Sequence, residues 1–428
     1  MKPKYLKIDN GNAKIRDFSL VDLAHKYGTP LFVLDQKELI DNINDFKSYF
    51  HSNLFKSNIV YASKALLVPE LVNICKNNHL FIDAVSLGDL YVLKESHFEM
   101  KNVVFHGNNK SIDELKFAIE NDVIIVVDNL EELMMLKELN PSKIRTMVRI
   151  NPGIEAHTHK YIQTALNKSK FGINIEDDEQ INQLMKIYLN NSNLVLLGFH
   201  SHIGSQIYEK NAFLLNADKM MRFSKKISDL YQYHLSSINL GGGFGIKYVE
   251  EDQGLDLKDC LNALRDRIEE LTKELDFKLE SVYIEPGRRL LGASCITLYT
   301  CCNTKTNLGG HKYLFIDGGM TDNIRPALYQ AKYHMDIANK MNDEKNQVFD
   351  VAGKCCESGD LIGTDIHLPN INPGDILIVY STGAYTYSMS SNYNNMLKPA
   401  VIFLDDDVKI TARRQNLEDL MILFKNIQ

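Results

Sequence analysis

Four short segments place reactive side chains where they could act together. Tyr61-Ala62-Ser63-Lys64-Ala65 sets a lysine directly after a strand-like run. An amine there, once partly buried, can form a Schiff base with a carbonyl. Gly241-Gly242-Gly243-Phe244-Gly245 is a turn whose backbone N–H groups can crowd round an anion. Glu285-Pro286-Gly287-Arg288 offers a carboxylate and a guanidinium in one loop. His200-Ser201-His202 sets two imidazoles on one side of a strand end, because side chains repeat every two residues. Taken singly, each has a plainer reading: a surface lysine, a tight turn, a surface ion pair, packed histidines.

Those segments need a scaffold that gathers them. Short β-branched runs alternate with longer stretches of helical period. The runs predict strands at Asn58–Tyr61, Phe81–Val85, Val103–Phe105, Val123–Val127, Thr146–Ile150, Leu194–Phe199, Ser237–Leu240 and Val282–Ile284. Between them, Pro69–Asn78, Ser111–Asn121 and Leu130–Asn140 carry apolar residues three and four apart, as at Leu115, Ala118 and Ile119. Such alternation predicts an α/β fold with parallel strands, and eight strands predict a closed, TIM-like (β/α)8 barrel. A polar or reactive residue follows each strand: Lys64, Asp83 with Ser86, His106, Asp128, Asn151, His200 with His202, the triple glycine, and Glu285. Barrel enzymes keep their chemistry at this end of the strands. An open doubly wound sheet gives less reason for every strand end to be polar.

Beyond the eighth run the texture changes. Strand-like runs at Tyr313–Ile316, Val348–Val351, Ile376–Tyr380, Val401–Leu404 and Val408–Thr411 follow one another, with turn signals such as Asn372-Pro373-Gly374-Asp375 between them. This predicts a mainly antiparallel β domain, to which Tyr5–Ile8 and Leu31–Leu34 could add strands. The expected division is residues 1–35 joining the β domain, 36–285 as the barrel, and 286–428 as the β domain.

Composition narrows the function classes. The 428 residues are 44% hydrophobic and 24% charged, an ordinary globular balance. Lysine and arginine number 48 against 55 acids, a net charge of −7 with no basic block, which argues against nucleic acid as a partner. The apolar runs are strand-length and no export segment stands at the start, so no membrane association is expected. Seven cysteines without a CxxC spacing point to neither a disulfide framework nor structural zinc, and to a reducing, cytoplasmic setting. A metal site on His200 and His202 would need further acidic or histidine ligands from other strands, and none is evident in the sequence; no metal is expected.

The four segments suit one cofactor. Pyridoxal 5′-phosphate needs a lysine for its aldehyde, an anion nest for its phosphate, an acid for its ring nitrogen and a group to lie on its face. Here the chain resembles the fold-type III pyridoxal-phosphate decarboxylases, and within them the diaminopimelate decarboxylase family. The motifs are YASKA (61–65), HGNNKS (106–111), RINPG (149–153), SKFGI (169–173), HSHIGSQ (200–206), LGGGFG (240–245), EPGR (285–288), DGGMTDNIRPALY (317–329), CESGD (356–360) and GAYTYSMSSNYN (383–394). Ser63, Leu66 and Ala165 depart from the family pattern.

The resemblance implies a carboxy-lyase that converts meso-2,6-diaminopimelate to L-lysine and carbon dioxide, the last step of lysine biosynthesis. Lys64 would hold the cofactor and Glu285 keep its ring nitrogen protonated. His202 would stack on the ring, and Ser205, Gly241, Gly242, Gly243, Gly287 and Arg288 would surround the phosphate. Asp83, Pro286 and Tyr385 complete the implied cofactor contacts. Arg288, Arg325, Tyr329, Glu357 and Tyr385 would hold the amino-acid substrate, and Cys356 would donate the final proton. In this family that cysteine comes from the neighbouring subunit, so a homodimer with shared sites is implied. The rivals are another basic amino-acid decarboxylase of the same fold, a catalytically silent homologue, and a metal-dependent barrel hydrolase.

Overall fold

A computed structural model describes residues 1–139, 142–154 and 169–425. The chain divides into two compact units: Ile43–Ile246 with Gly254–Arg288, and Met1–Asn42 with Lys247–Gln253 and Arg289–Gln428.

The first unit is a closed barrel of eight parallel strands, as the alternation predicts. They are β1 (Lys56–Tyr61), β2 (Phe81–Ala84), β3 (Val103–Phe105), β4 (Ile124–Val127), β5 (Ile144–Asn151), β6 (Leu194–His200), β7 (Ser237–Asn239) and β8 (Ser281–Ile284). Neighbours pair in chain order, and β8 returns to β1 with Ile284 opposite Ile59. Val60, Val104, Ile124, Val126, Met147 and Tyr283 make one buried cluster. Helices separate successive strands, and their starts are written locally. Ser111 and Glu114 form a reciprocal capping box at the head of Ile112–Glu120. Ser86, one of the polar strand-end residues, caps Leu87–Glu95 by accepting from the Asp89 N–H. Ala165 lies outside the described residues.

The second unit is built on a nine-stranded, mainly antiparallel sheet. Leu31–Asp35 is a strand of this sheet, antiparallel to Cys295–Thr306 and parallel to Ala400–Leu404. The other N-terminal run does not join it. Leu6–Asp9 pairs instead with Asn12–Ile15 in a separate three-stranded sheet. The reason is local: Asn10 and Gly11 both take positive φ, 48° and 78°, the tight turn that closes a two-residue hairpin. Three strands of the nine-stranded sheet are not expected from the sequence: Cys295–Thr306, Met335–Ile337 and Leu361–Leu368. Among the described residues no helix is long and apolar enough to cross a membrane. All seven cysteines are free, with Cys302 and Cys356 exposed.

Candidate active site

The C-terminal ends of the barrel strands bring the first set of functional side chains together. After β1 the chain makes one 3-10 turn, Ser63–Ala65, which presents Lys64. Two bonds fix that turn. The Ser63 N–H donates to Asp83 Oδ1 at the end of β2, and the Ala62 N–H donates to the Pro286 carbonyl 3.1 Å away. Asp83 thus supports the lysine from below, and its Oδ2 has no hydrogen-bond partner among the described residues. Burial pushes its carboxyl up, against the pull of the Lys64 and His106 charges. Of the positions that depart from the family pattern, Ser63 is buried, and the Leu66 carbonyl accepts from the Tyr61 hydroxyl at 2.5 Å.

Glu285 is the electrostatic centre. It lies buried after β8, and its Oε1 accepts from Asn239 Nδ2 at 2.7 Å. His106 Nε2 stands 2.9 Å from the same oxygen, and His200 Nε2 stands 3.4 Å from Oε2. Burial raises a carboxyl, but here the two histidines outweigh it and hold Glu285 well below its ordinary range. The pocket therefore contains a buried carboxylate that stays ionised. Burial in turn pushes His200 down to about 3, so its ring is neutral at physiological pH.

Above Glu285, backbone replaces side chain. A Cβ on Gly242 would sit 2.0 Å from the Glu285 carbonyl, and one on Gly243 (φ 108°) would sit 2.3 Å from the Gly204 carbonyl. Only glycine lets the three loops approach this closely. The Gly242 N–H donates to His202 Nδ1 at 3.2 Å, which fixes the ring. Burial, reinforced by the Lys64 and Arg149 charges, keeps that ring neutral. Arg288 donates to Ser205 Oγ at 3.2 Å, so the arginine of one loop and the serine of another meet beside the glycines. Lysine turn, ionised acid, neutral imidazole and glycine cradle suit the aldehyde, ring nitrogen, ring face and phosphate of pyridoxal phosphate.

The two imidazoles face different partners: His202 Nδ1 accepts from the Gly242 N–H, and His200 Nε2 turns to Glu285. The expectation that no other strand supplies ligands is also corrected. His106, His200 and Glu285 offer ligand atoms within 4.8 Å of one another, because barrel closure lets side chains from the ends of the non-neighbouring strands β3, β6 and β8 converge over the barrel mouth. A cation on Glu285 Oε1 would face the Asn239 N–H, which already points at that oxygen; the donor set suits an ionised acid better. From the sequence, His106 and Asn239 carry no role and His200 only that of a candidate metal ligand. The two histidines are legible as polar strand ends, whereas Asn239 hides inside a strand run.

The second unit holds the remaining expected residues. Pro326 opens the short helix Arg325–Tyr329, whose Arg325 is buried with its guanidinium 5.2 Å from the Tyr329 ring and 5.8 Å from the Tyr385 ring. Arg325 Nε has no hydrogen-bond partner among the described residues. Tyr385 takes a φ of 61°, an uncommon backbone for a bulky residue, of the kind that gathers at functional sites. Cys356 and Glu357 are exposed on the turn between Ala352 and Leu361.

Comparison with known proteins places the chain in a family. The family model described as "Pyridoxal-dependent decarboxylase, pyridoxal binding domain" matches residues 37–292. Diaminopimelate decarboxylase of Bacillus subtilis is 39% identical over 97% of this chain and 95% of its own. That of Staphylococcus aureus is 39% identical over 96% and 97%. The crystal structure of M. jannaschii diaminopimelate decarboxylase with L-lysine superposes with a TM-score of 0.90 at 30% identity, over 100% of this chain and 99% of that one. By sequence and fold, the chain belongs to the diaminopimelate decarboxylase family of pyridoxal-dependent decarboxylases.

Proposed function

We propose that the chain binds pyridoxal 5′-phosphate and decarboxylates meso-2,6-diaminopimelate to L-lysine and carbon dioxide, closing lysine biosynthesis in the cytoplasm. The observation that carries this is the ionised Glu285, buried among His106, His200 and Asn239 beside the Lys64 turn. Bound there, the cofactor supplies a sink for the electron pair left when carbon dioxide departs. Lys64 holds the aldehyde and Asp83 braces its turn. Glu285 keeps a proton on the ring nitrogen and His202 covers one face. Ser205, Gly241, Gly242, Gly243, Pro286, Gly287 and Arg288 enclose the phosphate end, with Tyr385 completing the cofactor contacts.

The substrate has two carboxylates and two ammonium groups. Arg288 and Arg325 suit carboxylate through bidentate bonds, Glu357 suits the distal ammonium, and Tyr329 and Tyr385 line the way. Cys356 delivers the proton to the α-carbon. An exposed proton donor works poorly in open water, and Cys356 and Glu357 are both exposed. A second copy of the chain gives them a site to complete, so the working unit is a homodimer whose sites take residues from both copies.

The test is a substrate panel on the cofactor-loaded enzyme. Lysine should form from meso-diaminopimelate in step with carbon dioxide, at a kcat/KM at least about a hundredfold above that for ornithine or arginine, because Arg325 would lose its carboxylate partner. Faster turnover of ornithine or arginine would move the chain to the rival decarboxylase reading.

A further inference from the structure

We propose that Asn394 is a positioning residue for the proton donor: its side-chain carbonyl fixes the backbone of Cys356 and thereby the direction of the thiol. The proposal rests on the role of Cys356 given above. The Cys356 turn is held from two sides. On the inner side, buried Asp360 accepts the Met320 N–H on Oδ1 at 2.6 Å and the Cys355 N–H on Oδ2 at 2.7 Å. On the outer side, the Cys356 N–H donates to Asn394 Oδ1 at 2.8 Å, across 38 residues of chain. Asp360 anchors the buried neighbour; Asn394 anchors the reactive residue itself.

Asn394 is presented from an ordered loop. The Ser391 N–H donates to the Thr321 carbonyl at 3.0 Å. Asn392 Nδ2 donates to the Met396 carbonyl and to Gln415 Oε1, at 2.7 and 2.6 Å. The loop holds Asn394 and Asn395 in the left-handed region, at φ 51° and 57°. Asparagine adopts that conformation more readily than other non-glycine residues, so the residue type meets a backbone and a side-chain demand at once. The same segment begins near Tyr385, so one loop carries a substrate contact and orients the donor. The demand is physical: proton transfer needs the donor within hydrogen-bond reach, and an exposed thiol with a loose backbone samples many directions.

The experiment uses two variants of the full-length holoenzyme. Asn394→Gly keeps the left-handed backbone and removes the acceptor, while Asn394→Asp keeps an acceptor of the same shape. Two quantities are read: kcat and KM with meso-diaminopimelate, and the rate at which iodoacetamide alkylates Cys356 without substrate. Peptide mass spectrometry scores Cys302, the other exposed thiol, as an internal control. For Asn394→Gly, kcat should fall about tenfold with KM within about twofold. Cys356 alkylation should change about threefold or more while Cys302 does not move. Asn394→Asp should keep kcat within about threefold of wild type. Unchanged kcat and alkylation in Asn394→Gly overturn the proposal. So does an equal loss in both variants with Cys302 also altered, which marks general loosening. Full activity of Cys356→Ala would instead overturn the role of Cys356, on which the proposal rests; altered alkylation in Asn394→Gly would still show that Asn394 orients the thiol.

Discussion

The Nε2 atom of His106 lies 2.9 Å from Oε1 of Glu285, and both side chains are buried. A carboxylate accepts, so this geometry puts the imidazole proton on Nε2. With Asn239 on the same oxygen and His200 beside the other, Glu285 remains charged where an isolated acid would be neutral. The residues around Glu285 set its charge, and that charge is what a protonated ring nitrogen requires.

Glu285→Gln should therefore retain the cofactor and lose the rate. The amide keeps the volume but cannot hold a proton on the ring nitrogen. Preorganised charge of this kind is worth about 3 kcal/mol or more, roughly a hundredfold in kcat. Steady-state kinetics with cofactor content measured by absorbance check it; a loss below about tenfold in a fully loaded variant counts against the assignment.

A second buried charge braces the His106 loop. Lys110 Nζ donates to Glu132 Oε1 and the Gly107 carbonyl, each at 2.8 Å, and to the Val126 carbonyl at 2.7 Å. The two side chains are 1% and 2% exposed. Lys110→Met strands the Glu132 carboxylate and should cost about 3–5 kcal/mol, whereas Lys110→Met with Glu132→Leu should recover most of it. Chemical denaturation of both variants decides; a double variant no better than the single one contradicts the account.

Acid should remove one stabilising contact in the β unit. Asp336 meets Lys345 Nζ, Lys2 Nζ at 2.8 Å and the Tyr380 hydroxyl at 2.9 Å. Burial alone raises its carboxyl, but the His334 ring 3.6 Å away and the ammonium groups of Lys2 and Lys345 prevail and hold it below its ordinary range. A carboxyl lowered by folding stabilises above its unfolded value of about 3.9 and loses that contribution as pH falls through the folded value. Thermal melts of wild type and Asp336→Asn should differ by a constant amount near neutrality and converge below about pH 4. A gap that widens on acidification contradicts the sign.

Sites shared between two copies can be rebuilt by mixing. Lys64→Ala and Cys356→Ala chains should each be inactive, yet a mixed dimer holds one site with both residues intact and one with neither. Random reassortment makes about half the dimers mixed, so roughly a quarter of wild-type activity should return. Activity that stays at background after demonstrated subunit exchange removes the shared site and leaves the cofactor assignment standing.

The barrel is legible because its strands are short apolar runs ended by a polar residue or, after the seventh, by the glycine turn, a pattern repeated from Tyr61-Lys64 to Ile284-Glu285. The long strand Cys295–Thr306 is not, because its second half is exposed and reads as polar coil. The strand expected at Tyr5–Ile8 lies in the β unit as Leu6–Asp9 but pairs outside its main sheet, since strand character says nothing of a partner and the Asn10-Gly11 turn supplies a near one. Lys64, Glu285 and the glycines stand out by type and position. Asn239 and Asn394 do not, because their value lies in what folding sets beside them: Glu285 for one, Cys356 for the other.

The proposed function stands or falls with Lys64 as the residue that carries the cofactor. Borohydride reduction of the cofactor-loaded enzyme, followed by peptide mapping, reads it directly. A pyridoxyl mass is expected on the peptide containing Lys64, and none in a Lys64→Ala chain. A pyridoxyl group on another lysine, such as Lys110, would contradict it.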